Sequence, residues 1–314
     1  MLPYLYDFEK GYEMLNYQES IIEVPGGKIW SELVYNEDTK NNPALICLHG
    51  GPGSTHNGIK FGLEKLAEFF PIIFYDQLGG GNSVLIDENY DQDNLWNTER
   101  FVTELATLIE FYKLEEFSLF GTSWGSSLAL EYLFSEYLPK PQSLILGSPL
   151  VSTKMWLEDA NILKQQMPAD VYQCMLDCEY NDTTDSDEYQ SAMEQFYNRH
   201  VLRKSELDEE QLSYLAENPS HFNMGAYRSM WGPSEFYVTG SLAELDRFHD
   251  LQNITLPTLF IGGEFDEARP ETLELFQQQV SDSQLIIIPG ASHCGYVEQP
   301  EAYSGAVRDF LLDD

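Results

Sequence analysis

Short, nearly unbroken apolar runs alternate along this chain with stretches whose apolar residues recur every three or four positions. Ala44–Leu48 (ALICL), Ile72–Tyr75 (IIFY), Phe117–Phe120 (FSLF), Ser143–Leu146 (SLIL), Thr258–Ile261 (TLFI) and Gln284–Ile288 (QLIII) are runs of the first kind. Runs so short and so apolar predict strands buried on both faces. Residues 98–113 place Phe101, Leu105, Leu108, Ile109 and Tyr112 at helical spacing. A second helix is predicted from about Trp124, and helical patterns follow the two late strands. Residues 20–36 (SIIEVPGGKIWSELVYN) read as a hairpin that turns at Gly26-Gly27. Buried strands alternating with helices imply an α/β architecture, a mostly parallel sheet with helices on both faces.

Residues 152–240 break this rhythm. They contain few strand-like runs, and they hold Met155, Met167, Met175, Met193, Met224 and Met230, six of the eight methionines. Trp156, Tyr172, Phe196, Tyr197, Tyr214, Tyr227, Trp231 and Phe236 lie in the same segment. A helical layer with its own small core is expected, inserted into a sheet domain made of residues 1–151 and 241–314. Soft and aromatic side chains would also suit the lining of a small-ligand site beneath such a cap.

Composition narrows the partners. The 314 residues include 17 Lys and Arg against 52 Asp and Glu, a formal net charge of −35. Phosphate backbones and anionic membrane surfaces are bound through Lys and Arg, so neither nucleic acid nor membrane is an expected partner. The first twenty residues show no basic and apolar leader pattern, and no run reaches the roughly 18 apolar residues of a membrane span. Cys47, Cys174, Cys178 and Cys294 fit free thiols in a cytoplasmic protein. Cys174 and Cys178 stand one helical turn apart, but no CxxC or HxxxH completes a metal site around them.

The sharpest chemical signal is Gly121-Thr122-Ser123-Trp124-Gly125, which lies between a predicted strand and a predicted helix. That context is what a G-x-S-x-G turn needs to hold a serine hydroxyl clear of a sheet as a nucleophile. The flanking glycines let the strand and helix backbones approach closely. His49-Gly50-Gly51-Pro52-Gly53 follows the strand ALICL, where a glycine-rich loop can aim an N–H at a developing oxyanion. Gly51 and Trp124 are the candidate donors, and His49 is read as a brace for its loop.

A serine nucleophile needs a base and an acid to orient it. Of six histidines, only His293 lies just past a late buried strand; His56, His200, His221 and His249 are expected to serve packing or the surface. For the acid, Glu264, Asp266 and Glu267 all follow the strand TLFIGG, and spacing alone does not choose among them. Cys294, next to His293, is either a thiol whose modification would disturb the imidazole or one buried out of reach.

HGGPG, YDQLGGGNS (75–83), GTSWG, GPSEF (232–236), GEFDEARP (263–270) and GASH (290–293) fall in the order seen in proline iminopeptidases. The chain resembles that family over nearly its whole length. The resemblance implies an α/β-hydrolase fold with an inserted helical cap, and a serine aminopeptidase that releases an N-terminal residue, preferentially proline, from peptides or aminoacyl amides without a cofactor or metal. It implies Asp266 as the acid, and Glu235 and Glu267 as the carboxylates that bind the substrate's free amine. Such chemistry needs a counter-charge for a protonated amine beside the scissile carbonyl, and two converging carboxylates supply it. Gly80 and Arg269 depart from the usual pattern, where Cys or another small residue and Thr are common. A broader amidase or esterase on the same frame is the main alternative. A non-catalytic ligand-binding protein is the more distant one.

Overall fold

The computed structural model of the protein describes residues 15–85, 95–219 and 221–312. The first fourteen residues, which carry most of the leader reading, lie outside them, as do small parts of the expected domains. The described residues form a sheet of β1 (Asn16–Val24), β2 (Gly27–Tyr35), β3 (Ala44–Leu48), β4 (Ile72–Tyr75), β5 (Val84–Leu85), β6 (Phe117–Thr122), β7 (Leu144–Gly147), β8 (Thr258–Gly263) and β9 (Ser283–Ile288). Their order is β1-β2-β4-β3-β6-β7-β8-β9, with β5 paired to β2. From β4 to β9 every pairing is parallel, whereas β1, β2 and β5 pair antiparallel at one edge.

The apolar runs are continuous because each strand feeds two cores. Successive side chains on a strand point to opposite faces. Ile46 and Leu48 join one cluster while Leu45 and Cys47 join the other. Leu119 and Phe120, Leu146 and Ile145, Phe260 and Ile261 divide in the same way. The helices Thr98–Tyr112 and Trp124–Phe134 cover the first face, and Asn57–Leu63 and Pro300–Leu312 cover the second. Helix Thr98–Tyr112 starts where Asn97 accepts the Arg100 N–H at 2.9 Å and stops at Lys113, which is left-handed at φ 54°.

The hairpin differs from expectation in its turn. The chain reverses at Pro25-Gly26, and Gly27 already belongs to β2, opposite Leu85. A Cβ on Gly27 would fall 2.3 Å from the Val84 carbonyl, so the residue is small because β5 crosses against it.

Between β7 and β8 the chain leaves the sheet. Ser152 and Asp246 form an antiparallel bridge where it departs and returns. Between them lie the helices Thr153–Lys164, Ala169–Tyr180, Asp187–His200, Glu209–Glu217 and Met224–Met230. Ala160, Leu163, Met167, Val171, Met175, Tyr189, Ala192, Phe196 and Phe236 make a core of their own there. Trp156, Tyr227, Met230 and Trp231 pack instead into the main core, so the insertion is seated on the sheet domain as well as folded on itself.

Candidate active site

Four loops meet at the carboxyl ends of the parallel strands, where open α/β sheets bind ligands. They follow β3, β6, β8 and β9, and carry His49 to Gly53, Ser123, Asp266 with Glu267, and His293.

Ser123 stands just past β6 with φ 55° and ψ −124°, a conformation costing on the order of 1–3 kcal/mol for a residue with a side chain. The surroundings hold it there. Its N–H donates to the Gly147 carbonyl at 2.9 Å, and its carbonyl accepts from Ser126 at 3.0 Å. A Cβ on Gly121 would meet the Gly125 carbonyl at 2.3 Å, and one on Gly125 would meet the Leu48 carbonyl at 2.1 Å. Both flanking glycines are therefore demanded by backbone contact. Trp124 opens the helix, where its N–H has no carbonyl a turn earlier to bind within the helix.

The glycine-rich loop lies directly on the serine. A Cβ on Gly50 would sit 3.0 Å from Ser123 Cβ and 3.6 Å from its Oγ. Gly51 has φ +107°, left-handed backbone that a larger residue resists. His49 is buried. Its Nε2 accepts the Gln77 N–H at 2.9 Å, and its Nδ1 lies 2.9 Å from the Gly50 carbonyl. Burial pulls its pKa down, against the attraction of Asp76, so it sits as neutral imidazole bracing the loop. Gln77 closes the arrangement by donating to the His49 carbonyl at 3.0 Å and accepting from Trp124 Nε1 at 3.0 Å.

Geometry separates the three candidate acids. Asp266 Oδ1 lies 2.9 Å from His293 Nδ1. Its other oxygen accepts from Ser148 Oγ at 2.5 Å and from the Gly263 N–H at 3.2 Å. Glu264 is exposed and accepts the Gly290 N–H, away from the imidazole. Glu267 is buried, with Oε1 3.8 Å from His293 Nδ1, and neither of its oxygens has a hydrogen-bond partner among the described residues. Burial, together with repulsion from Glu235 and Asp266, holds the Glu267 carboxyl well above the usual carboxylate range. Glu235 comes from the inserted segment. Burial raises its pKa too, although its Oε1 accepts from Tyr227 OH at 2.7 Å.

Burial opposes charge on His293, but attraction to Asp266 and their hydrogen bond outweigh it, and the imidazole pKa is raised. The loop that carries His293 is tied to the inserted helices. The His293 N–H donates to the His200 carbonyl at 3.1 Å, and Cys294 N–H to Val201 at 2.9 Å. His200 Nδ1 lies 2.9 Å from the Phe265 carbonyl. Glu298 bridges the same parts, accepting from Ser292 N–H, from Ser292 Oγ at 2.8 Å and from Arg203 N–H at 2.5 Å. Trp156 packs its ring edge to face with His293 at 5.6 Å and donates to the Glu235 carbonyl at 2.9 Å.

Several of these residues escaped sequence reasoning. Ser148 stands just past β7, and the rule that chemistry gathers at strand ends could have flagged it. His200 packs against the strand-end loops, within the packing or surface role expected of it. His56 is likewise buried, its Nδ1 2.8 Å from Asp76 Oδ1, while His221 and His249 are exposed. Arg269 reaches the inserted segment, donating from its N–H and guanidinium to Asp159 at 3.3 and 3.5 Å. Burial pushes the Cys294 thiol up to about 12, which keeps it protonated at neutral pH. The four cysteines are free thiols, and among the described residues no cluster of three or more His, Cys, Asp or Glu is placed to hold a metal.

Residues 43–300 match the family model of the alpha/beta hydrolase fold, and the chain is a member of that fold family. A proline iminopeptidase of Heyndrickxia coagulans is 39% identical over 94% of this chain and 99% of its own length. A proline iminopeptidase of Lactobacillus acidophilus is 33% identical over 85% of this chain and 89% of its own. The crystal structure of a Mycobacterium smegmatis proline iminopeptidase superposes with a TM-score of 0.80, at 29% identity, over 94% of this chain and 98% of that one. Within the hydrolase fold, the chain belongs to the proline iminopeptidase family.

Proposed function

We propose that the protein is a serine aminopeptidase that releases an N-terminal residue, preferentially proline, from small peptides or aminoacyl amides. Glu267 carries the reading. A buried carboxylate without hydrogen-bond donors is costly, and a second carboxylate, Glu235, lies close enough to repel it. A protonated amine seated between the two relieves both costs through charge-assisted hydrogen bonds. Because Glu267 adjoins Asp266, an amine held there stands beside the reacting carbonyl.

In this reading Ser123 Oγ attacks the carbonyl carbon and His293 takes the hydroxyl proton. The His293 Nδ1 bond to Asp266 leaves Nε2 to do so, and Asp266 stabilises the imidazolium that forms. The N–H groups of Gly51 and Trp124 receive the oxyanion. His293 then protonates the departing amine, and water hydrolyses the acyl-enzyme with His293 as base once more. The inserted segment 152–240 serves as the cap that supplies Glu235. The free thiols suit the cytoplasm, and the net charge of −35 suits a small-molecule partner over nucleic acid.

The test is a panel of prolyl and other aminoacyl amides, free and N-acetylated, on wild type and on Glu235→Gln and Glu267→Gln. Losing one charge-assisted hydrogen bond, worth about 1.5–3 kcal/mol, should lower kcat/KM for the free prolyl amide roughly 10- to 150-fold. Wild type should fail on the acetylated substrate. Equal cleavage of free and acetylated substrates would leave an esterase or general amidase as the better reading.

A further inference from the structure

The proposed amine carboxylate, on Glu235, is flanked in the inserted segment by Ser234 and Phe236. Behind them lies an ion pair that the chemistry does not use. Lys164 is 2% exposed, and its Nζ lies 3.1 and 3.0 Å from the two oxygens of Glu179. Tyr189, fully buried, has its hydroxyl 3.4 Å from Glu179 Oε1 and 2.8 Å from Ser234 Oγ. The carboxylate can only accept, so the single phenolic hydrogen goes to Glu179 and the Ser234 hydroxyl donates to Tyr189. A directed chain therefore runs from Ser234 through Tyr189 to Glu179, closed by Lys164. The Lys164 ammonium also lies 5.2 Å from the Phe236 ring centre, and Phe236 packs on Tyr189 at 6.0 Å.

Removing two charges from water usually costs as much as their attraction returns, so such a pair is a poor source of stability. Its better-attested use is to specify one geometry among several. Here the geometry concerned is that of the segment flanking Glu235. We propose that Lys164, Glu179 and Tyr189 are positioning residues that hold Glu235 in register for the substrate amine and so set the preference for free-amine substrates. This rests on the amine-binding reading of Glu235. Each of the three lies on a different helix of the insertion, Thr153–Lys164, Ala169–Tyr180 and Asp187–His200, so the chain also ties the fold of the insertion to substrate choice.

Tyr189→Phe deletes one oxygen and leaves the ring against Phe236. Ser234→Ala breaks the chain at its other end. Steady-state kinetics on prolyl p-nitroanilide and on p-nitrophenyl acetate, which has no amine, test the idea, with Glu235→Gln as control. For each single variant the prolyl KM should rise roughly 3- to 10-fold, the worth of one hydrogen bond, while prolyl kcat and acetate kcat/KM stay within about twofold. The double variant should be no worse than the poorer single one, because both cuts sever one chain. A parallel loss on both substrates, no loss on either, or additive losses would overturn the proposal. If Glu235→Gln loses prolyl selectivity and Tyr189→Phe keeps it, the positioning idea fails and the amine site stands. If Glu235→Gln keeps selectivity, the amine site fails and the positioning idea with it.

Discussion

Ser148 Oγ lies 2.5 Å from the Asp266 carboxylate oxygen that His293 does not use. Ser148 holds that position with φ 43°, and its Oγ also lies 3.2 Å from the His293 carbonyl. One hydroxyl just past β7 thus touches both the candidate acid and the backbone of the candidate base. Hydrogen bonds to charged groups are worth about 1.5–3 kcal/mol. The same bond fixes the carboxylate against the imidazole, and Ser148→Ala should lower kcat by roughly 10-fold through misorientation of that pair. Without the donor the carboxylate's charge is less dispersed and attracts the imidazolium more strongly, so the acid limb of the pH profile should move to higher pH. Rate–pH profiles of the variant check both, and an unchanged profile would make Ser148 a packing residue only.

Gly50→Ala probes the contact between the glycine-rich loop and Ser123. Its Cβ would arrive 3.0 Å from Ser123 Cβ and 3.2 Å from the Thr122 carbonyl, and the second neighbour is backbone. The loop must shift by some tenths of an ångström, and misplacement near a reacting centre is costly. We expect kcat to fall roughly 10- to 100-fold with little change in thermal midpoint. A fully active variant would place the oxyanion donors elsewhere.

The pH dependence should differ between substrates. Neutral His293 is the base in the proposed reaction, and its pKa is raised, so the acid limb of kcat/KM should be centred above the ordinary value of about 6.5. Glu235 and Glu267 also titrate above the usual carboxylate range because they are buried. Acidification neutralises them while the substrate amine stays charged, so amine binding weakens as well. The acid limb for a prolyl amide should then be steeper than for an amine-free ester. Superimposable limbs for the two substrates would separate the two glutamates from amine binding.

Arg269→Ala should reveal what the departure from the family pattern does. The guanidinium and N–H of Arg269 face Asp159, a buried residue of the helix Thr153–Lys164 that also carries Trp156. Burial raises the Asp159 pKa to about 6, and bonds from Thr272 and Arg269 offset only part of that. Its folded pKa is thus above the unfolded value of about 3.9, and its ionisation costs stability as pH rises through 6. Loss of the guanidinium adds to that cost, on the order of 1–3 kcal/mol. Urea melts should show the full deficit near about pH 8, shrinking toward about pH 5 as Asp159 protonates. A deficit independent of pH would mean that the loss is one of packing.

Much of the frame is legible in the chain itself. Runs such as ALICL and TLFIGG are buried at every position because strands covered on both faces have no solvent side, so their alternation with helical patterns implies a covered parallel sheet. Gly121-Thr122-Ser123-Trp124-Gly125 is legible because the turn makes local demands, small residues at fixed offsets from one serine. Methionines and aromatics without strand runs set residues 152–240 apart from the alternating frame by composition. Contacts that join distant segments leave no such local trace. Three acids follow β8 and spacing does not choose among them; the family motif points to Asp266, and the fold shows the contact itself, with Asp266 rather than Glu264 or Glu267 hydrogen-bonded to the His293 ring. Ser148 and Asp266 are 118 positions apart, and the Lys164–Glu179–Tyr189–Ser234 chain draws on three helices and a loop. Composition and spacing determine which elements form and which face of each is apolar. Which side chains then share a hydrogen bond depends on how the loops at the strand ends close over one another, and that is decided only when the two cores and the inserted helices pack together.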